Sequence, residues 1–197
     1  MELRWDVDKA IGFLDIHPRD YDAAYFNKYQ KYAETEMGKS LNDHRLGFVA
    51  RNYLGSLLDV GVGSLQFVLS RDDTFGYDVN PVAIRKLEAL HLYADPHELH
   101  FPAYSFFDSF EHIKHPTTLL DNMFIGTMLF MSIPIFKDVN HILRSKHFRP
   151  DEHFWYFTPQ GLIRYMLDHG FLCVDLDNFE IRVGREDILS FAFRKQR

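Results

Sequence analysis

Leu57-Leu58-Asp59-Val60-Gly61-Val62-Gly63-Ser64 is the stretch on which the reading of the whole chain turns. A short apolar run ending in glycines predicts a buried strand. Glycines there permit a tight turn and let a ligand touch the backbone. Ser64 is placed to cap a short helix whose Leu65, Val68 and Leu69 point inward, and the first turn of such a helix offers unpaired N–H groups. Working outward, Phe75-Gly76-Tyr77-Asp78-Val79 predicts a second strand. Asn80-Pro81 then supplies an N-cap and a proline at the first helical position, and Ile84, Leu87 and Leu90 mark the helix face. Asp78 lies 17 residues after Gly61, at the tip of the second strand. An acid there can accept two hydrogen bonds from a ribose diol.

The alternation continues along the chain. Leu41–Tyr53 reads as a helix, Leu92–Ala94 and Ala103–Phe107 as strands, and His115-Pro116 as the start of a helix through Leu119, Leu120 and Met123. Gly126–Ile133 is apolar almost throughout, as a central parallel strand would be. Thr158-Pro159 opens a helix carrying Leu162, Ile163, Met166 and Leu167, which Gly170 ends. Phe171–Leu176 and Ile188–Arg194 read as closing strands. This order predicts an α/β, doubly wound, mostly parallel sheet with helices on both faces. Its ligand site is expected beyond the carboxyl ends of the strands, where the strand order reverses. Residues 1–40 differ in texture, with Tyr25, Tyr29 and Tyr32 at helical spacing. They are read as an N-terminal helical cap, whose tyrosines either pack on the domain or line a pocket as a lid. Residues 41–197 are read as one compact cofactor-binding unit.

Composition bounds the function. The 197 residues carry a formal net charge of −6, which argues against a general nucleic-acid binder without excluding a local basic patch. One cysteine, Cys173, excludes a disulfide framework or a multi-cysteine zinc site within the chain, and it reads as buried and inert. Eleven histidines leave room for a site that uses one or two. The longest apolar stretch, Met123–Phe136, is shorter than a bilayer span and is interrupted by Pro134. The first residues lack the apolar segment of a signal peptide. A soluble, cytoplasmic protein with no membrane partner is the expectation.

Two nucleoside cofactors use a Gly-x-Gly turn followed by a distant acid. The dinucleotide fingerprint needs a third glycine where this chain has Gln66, which disfavours a nicotinamide-dependent oxidoreductase. In contrast, Leu58 to Ser64 resembles the first motif of class I S-adenosylmethionine-dependent methyltransferases, and Gly76 to Pro81 their second. Tyr93 to Leu99 resembles the acid-bearing segment that reads adenine. Phe106 to Pro116, and Glu152-His153 through Thr158-Pro159 to Phe171, resemble segments of the branch that includes ubiquinone-biosynthesis O-methyltransferases. The likeness covers roughly residues 41–197, with the motifs in the family's order. It implies a seven-stranded sheet with one antiparallel strand near an edge, S-adenosylmethionine as cofactor, and a small-molecule methyl acceptor. Carried onto this chain, it assigns cofactor binding to Asp59, Gly61, Gly63, Asp78, Val79, Asp95, Phe107 and Asp108. The chain departs from the family at Leu65, which replaces a third glycine and is expected to narrow the pocket or weaken the cofactor's hold.

Asp108, Glu111 and His112 have i, i+3, i+4 spacing and would share one face of a helix. Three readings follow: Asp108 beside the cofactor with Glu111-His112 bracing the loop, acid–base work or acceptor orientation by His112 and Glu111, or a divalent metal. Catalysis is assigned to His112 and Glu111, with no metal. His153 reads as a loop residue, or else as a further ligand or acceptor contact. Lys146–Phe157, basic and aromatic, is expected over the site, either as a gate for a small molecule or packed on the N-terminal helix. Arg45 could meet the cofactor's carboxylate. The rival functions are a catalytically degenerate member and a metal-assisted RNA 2′-O-methyltransferase.

Overall fold

Burial and local caps together lay out the elements. The structure is a computed structural model that describes residues 2–197. In chain order it contains β1 (Arg4–Asp6), β2 (Ile11–Phe13), α1 (Ala23–Ala33), α2 (Glu36–Ala50), β3 (Leu57–Val60), α3 (Gln66–Leu69), β4 (Thr74–Tyr77) and α4 (Pro81–Ala89). There follow β5 (Ala103–Phe107), α5 (Pro116–Asp121), β6 (Met128–Pro134), α6 (Val139–Arg144), β7 (Trp155–Phe157), α7 (Pro159–Asp168), β8 (Phe171–Asp177), α8 (Phe179–Arg182) and β9 (Ile188–Lys195). The helix starts follow side-chain chemistry. The side chains of Asp22, Thr35, Asn80 and Thr158 each accept a backbone N–H at the start of α1, α2, α4 and α7, and prolines follow Asn80 and Thr158.

The main sheet has the order β4-β3-β5-β6-β9-β8. Strands β4, β3, β5 and β6 are parallel, and β9 pairs antiparallel with both β6 and β8. The sheet is doubly wound and mostly parallel, with six strands rather than seven. The seventh place, beyond β4, holds a single bridge between Gly76 and Tyr93. Asp95 ends that pairing locally: its carboxylate accepts the N–H of His97 at 2.8 Å and turns the chain around Pro96.

Alternation along the strands splits the core into two layers. Leu58, Val60, Tyr104, Phe106, Leu129 and Met131 face one way, against Leu162 and Met166 of α7 and Leu119 and Leu120 of α5. Leu57, Ala103, Met128 and Phe130 face the other way, against Phe48 and Val49 of α2. Each helix face is narrower than its apolar pattern suggests. Leu69, Leu90 and Leu167, expected on the inward faces, lie at or just past the helix ends and are exposed.

The N-terminal region is not purely helical. Strands β1 and β2 form a hairpin that pairs with β7 in a three-stranded antiparallel sheet. Phe148, Phe154 and Tyr156 therefore pack against Leu3, Trp5 and Phe13 of this hairpin, rather than against α1. Helix α2 begins at Glu36 and runs through position 40, where the sequence suggested a boundary. Among the described residues no helix is long and apolar enough to cross a membrane.

Candidate active site

The strand order reverses at β3, whose neighbours β4 and β5 lie on opposite sides. A cavity of about 410 Å³ opens there, at the carboxyl ends of β3, β4 and β5. Its floor is the glycine turn. Gly61 and Gly63 both adopt positive φ, 84° and 51°. A Cβ at Gly61 would lie 2.5 Å from the Cβ of Ser109, so the turn admits no side chain there. At Gly63 the nearest atom to such a Cβ is a Tyr29 ring carbon at 3.8 Å, and the backbone faces the cavity.

Leu65 behaves unlike the expectation. It takes the N-cap position of α3 in place of Ser64, at φ 65°. That left-handed conformation costs about 1–2 kcal/mol in an L-residue. Burial of its side chain among Phe26, Val68, Ala83 and Leu87 offsets the strain. The leucine points away from the cavity and does not line it.

Asp78 sits just beyond β4 with one oxygen 3.3 Å from the N–H of Gly63 and the other 2.8 Å from that of Asn80. Burial raises its carboxyl above the usual carboxylate range, and the backbone N–H groups oppose the rise. It lines the cavity together with Val79. Asp59 ends the buried strand β3. It accepts a hydrogen bond from Ser105 Oγ at 2.6 Å, and burial pushes its carboxyl up to about 7.

That shift has a consequence for stability. A carboxyl whose pKa is raised on folding favours the folded state at low pH, and the benefit is lost as pH rises through the folded value. Asp59→Asn, which keeps the acceptor for Ser105 and cannot ionise, is expected to gain about 2–3 kcal/mol on the parent between pH 5 and pH 8. Urea unfolding of both proteins at the two pH values measures it. A constant difference would place Asp59 at an ordinary carboxylate pKa.

Asp108, at the end of β5, is held by two guanidinium groups. Arg45 Nη2 donates to it at 2.7 Å, and Arg185 donates twice at 3.0 Å. Burial alone would raise its pKa, but Arg185 and Arg45 hold it well below the usual range. The fully buried Glu180 accepts from both arginines and closes the square. Arg45 is thereby committed to Asp108 and Glu180. Arg185 and Glu180 carried no sequence signal, being more than 70 residues from Asp108 with no motif around them.

Asp108, Glu111 and His112 do not share a helix face. Asp108 has φ 57°, and only a single 3-10 turn, Phe110–His112, follows. The left-handed residue sends Asp108 toward the arginines and Glu111-His112 toward His153. Glu111 Oε1 is 3.9 Å from Nε2 of both His112 and His153. The two imidazole rings meet edge to face at 4.6 Å. Tyr21 Oη lies 3.2 Å from His112 Nδ1. Burial, reinforced by the charge of Asp108, pushes the Glu111 carboxyl up to about 8, and burial lowers His112 to about 4. His153, read from sequence as more plausibly a loop residue, is buried at the centre of this group.

The roof is aromatic. Tyr21, Tyr25 and Tyr29 line the cavity, with Tyr25 and Tyr29 joined by their hydroxyls at 3.2 Å. The tyrosine stripe thus faces the pocket, while Phe26 alone of α1 is buried. His147, Arg149, Glu152 and His153 form a side wall, so the basic segment does lie over the site. Phe154, Tyr156 and Phe157 are buried in the core and offer no stacking surface for bases. Phe107 lines the cavity beneath Arg45, whose guanidinium stands 4.8 Å above the ring. Asp95 is the one assigned cofactor residue that the structure leaves outside the lining. One of its oxygens accepts the N–H of His97, and Pro96 and His97 border the cavity there.

No protein-family model matches the chain, and no curated protein sequence does. Solved structures match across most or all of its length. The 1,6-didemethyltoxoflavin-N1-methyltransferase of Burkholderia thailandensis, with bound 1,6-didemethyltoxoflavin and S-adenosylhomocysteine, superposes with a TM-score of 0.61 at 13% identity and covers 100% of both chains. The N-methyltransferase NodS of Bradyrhizobium japonicum WM9, in complex with S-adenosylhomocysteine, gives 0.58 at 12% identity, over 90% of this chain and 100% of that one. The fold is that of the S-adenosylmethionine-dependent methyltransferases. The [4+2]-cyclase SpnF shares it, with a TM-score of 0.61 at 13% identity over 83% of this chain and 84% of its own. The methyltransferase fold thus carries more than one chemistry, and the reaction has to be argued from the site.

Proposed function

We propose that this chain binds S-adenosylmethionine in the cavity and transfers its methyl group to an oxygen or nitrogen of a small molecule. The observation that carries the reading is the Asp78 carboxylate, which lines the cavity beside the Gly61–Gly63 turn with one oxygen 3.3 Å from the N–H of Gly63. The residues present fit the cofactor. In this reading Asp78 accepts from the ribose hydroxyls, and the backbone at Gly63 allows close approach. Asp59 supports the methionine end, and Leu65 leaves the space free. Val79, Pro96 and His97 border the far end, where an adenine would lie. Phe107, and Asp108 through the arginines it holds, shape the inner wall.

When bound, S-adenosylmethionine supplies an electrophilic methyl group on a positively charged sulfur. The chain's part is to hold two reactants in line and to exclude water, which can supply much of the rate. Tyr21, Tyr25 and Tyr29 close the cavity from above. Glu111 and His112 line the same cavity and are assigned to orient the acceptor. Residues 1–40 act as a cap in this reading, and residues 41–197 as the cofactor-binding unit. The motifs at Phe106–Pro116 and Glu152–Phe171 favour the ubiquinone-type O-methyltransferase branch for the acceptor chemistry. The net charge of −6 and the buried aromatic rings favour a small molecule over nucleic acid.

Isothermal titration of the full chain with S-adenosylmethionine and S-adenosylhomocysteine tests the reading. One equivalent of each is expected to bind. Absence of heat with both, confirmed by unchanged melting temperature, would reduce the resemblance to shared ancestry.

A further inference from the structure

Glu111, His112 and His153 come from two separate segments, yet one ligating atom from each lies within 4.8 Å of the others. Both histidines present Nε2 to the same oxygen, Glu111 Oε1, at 3.9 Å. The other oxygen, Oε2, is buried with no hydrogen-bond partner among the described residues. Glu111 itself is only 2% exposed. A buried carboxylate oxygen without a partner is costly, and native structures normally supply one. The Asp108 carboxylate belongs to Arg45 and Arg185 and takes no part in the group.

We propose that Glu111, His112 and His153 form a binding site for a first-row divalent transition-metal ion, such as Zn2+, Fe2+ or Mn2+, open toward the cavity. Two imidazoles and one carboxylate on one side of a cation, with the remaining positions free, is the donor set such ions take. Mg2+ and Ca2+ prefer oxygen ligands and fit it poorly. Around an ion with bonds of about 2.1 Å, neighbouring ligand atoms lie roughly 3.0–3.4 Å apart, so the two 3.9 Å separations require closure by about 0.5–0.9 Å and the histidine–histidine separation, within 4.8 Å, by up to about 1.8 Å. Tyr21 supplies the outer support. With Nδ1–H of His112 donating to the Tyr21 hydroxyl, Nε2 is left as the ligating nitrogen. All three ligands line the cavity, so the free coordination positions face it. The ligand set differs from the Asp108-Glu111-His112 triplet suggested by sequence spacing, because the left-handed Asp108 separates that triplet and the fold delivers His153 from the loop ahead of β7.

The site also gives the proposed methyl transfer a means of holding its acceptor: an acceptor hydroxyl or amine would occupy a free coordination position. That extension rests on the methyl-transfer reading, whereas metal binding does not.

The full chain, stripped with a chelator, is titrated with Zn2+ and with Mg2+ by calorimetry, and with Co2+ followed by its visible ligand-field absorption. One equivalent of Zn2+ and of Co2+ is expected to bind, and Mg2+ far more weakly. Glu111→Gln and His153→Ala are each expected to weaken Zn2+ by roughly 100-fold or more, since loss of even outer-shell partners costs 10–100-fold. Tyr21→Phe leaves every ligand in place and is expected to cost about tenfold. Circular dichroism confirms that each variant is folded. S-adenosylhomocysteine titrated into the same variants reports the cofactor site separately, so loss of one function is distinguished from loss of the other. Failure to bind Zn2+ stoichiometrically, equal affinity for Mg2+, or Zn2+ affinity unchanged in folded Glu111→Gln and His153→Ala would overturn the assignment.

Discussion

Asp78→Ala is expected to raise the dissociation constant for S-adenosylmethionine by ten- to hundredfold. A charge-assisted hydrogen bond contributes about 1.5–3 kcal/mol, and each 1.4 kcal/mol is a factor of ten in affinity. The carboxylate has a second duty, because its two oxygens hold the N–H groups of Gly63 and Asn80. Removing it therefore also loosens the glycine turn that receives the ligand. Asp78→Asn, which keeps one acceptor oxygen, is expected to lose less. Calorimetric titration of both variants with S-adenosylhomocysteine reads the effect. Affinity unchanged in the alanine variant would remove the acid from the ribose position and, with it, the observation on which methyl transfer rests.

Glu180→Ala is expected to destabilise the fold by about 3–5 kcal/mol, the typical cost of removing one partner from a buried charge network. Glu180 is fully buried and accepts from Arg45 and Arg185, which also hold Asp108. Without it, two half-buried guanidinium groups share a single carboxylate. For a chain of this size the loss corresponds to a fall in melting temperature of roughly 6–20 °C. Glu180→Gln preserves the volume and part of the hydrogen bonding, and is expected to fall between the two. Differential scanning calorimetry of the three proteins gives the order, and an alanine variant within about 1 kcal/mol of the parent would show that solvent reaches the arginines and screens them. The same network holds Asp108 at the end of β5, so the acid beside the cavity owes its position to α8 and the loop that follows it.

The legible features of the sequence are those whose causes are local. Asn80-Pro81 and Thr158-Pro159 start helices because a side-chain acceptor and a fixed φ act within three residues. Gly61 and Gly63 make the turn because a Cβ at the first would strike Ser109 and because both need positive φ. Strand β6 reads as buried because every residue in it is apolar or small. The misreadings have equally definite causes. Leu65 looked like an obstruction, yet its left-handed backbone swings the side chain into the α1–α4 packing. Asp108, Glu111 and His112 looked like one helix face, yet a positive φ at Asp108 parts them.

What the sequence determined by itself is the alternation of the main-sheet strands with α2 to α5 and α7, the turn after β3 and the acid after β4, since each depends on residues within a few positions of one another. Only the tertiary structure decided the rest of the cavity: Arg185 and Glu180 around Asp108, His153 beside Glu111 and His112, and the tyrosines of α1 as a roof. Those contacts join segments tens of residues apart, and their partners are chosen by which side chains the packed sheet brings within a few ångströms. No spacing along the chain records that choice, because distance in space is set by the crossing of strands and helices rather than by separation in sequence.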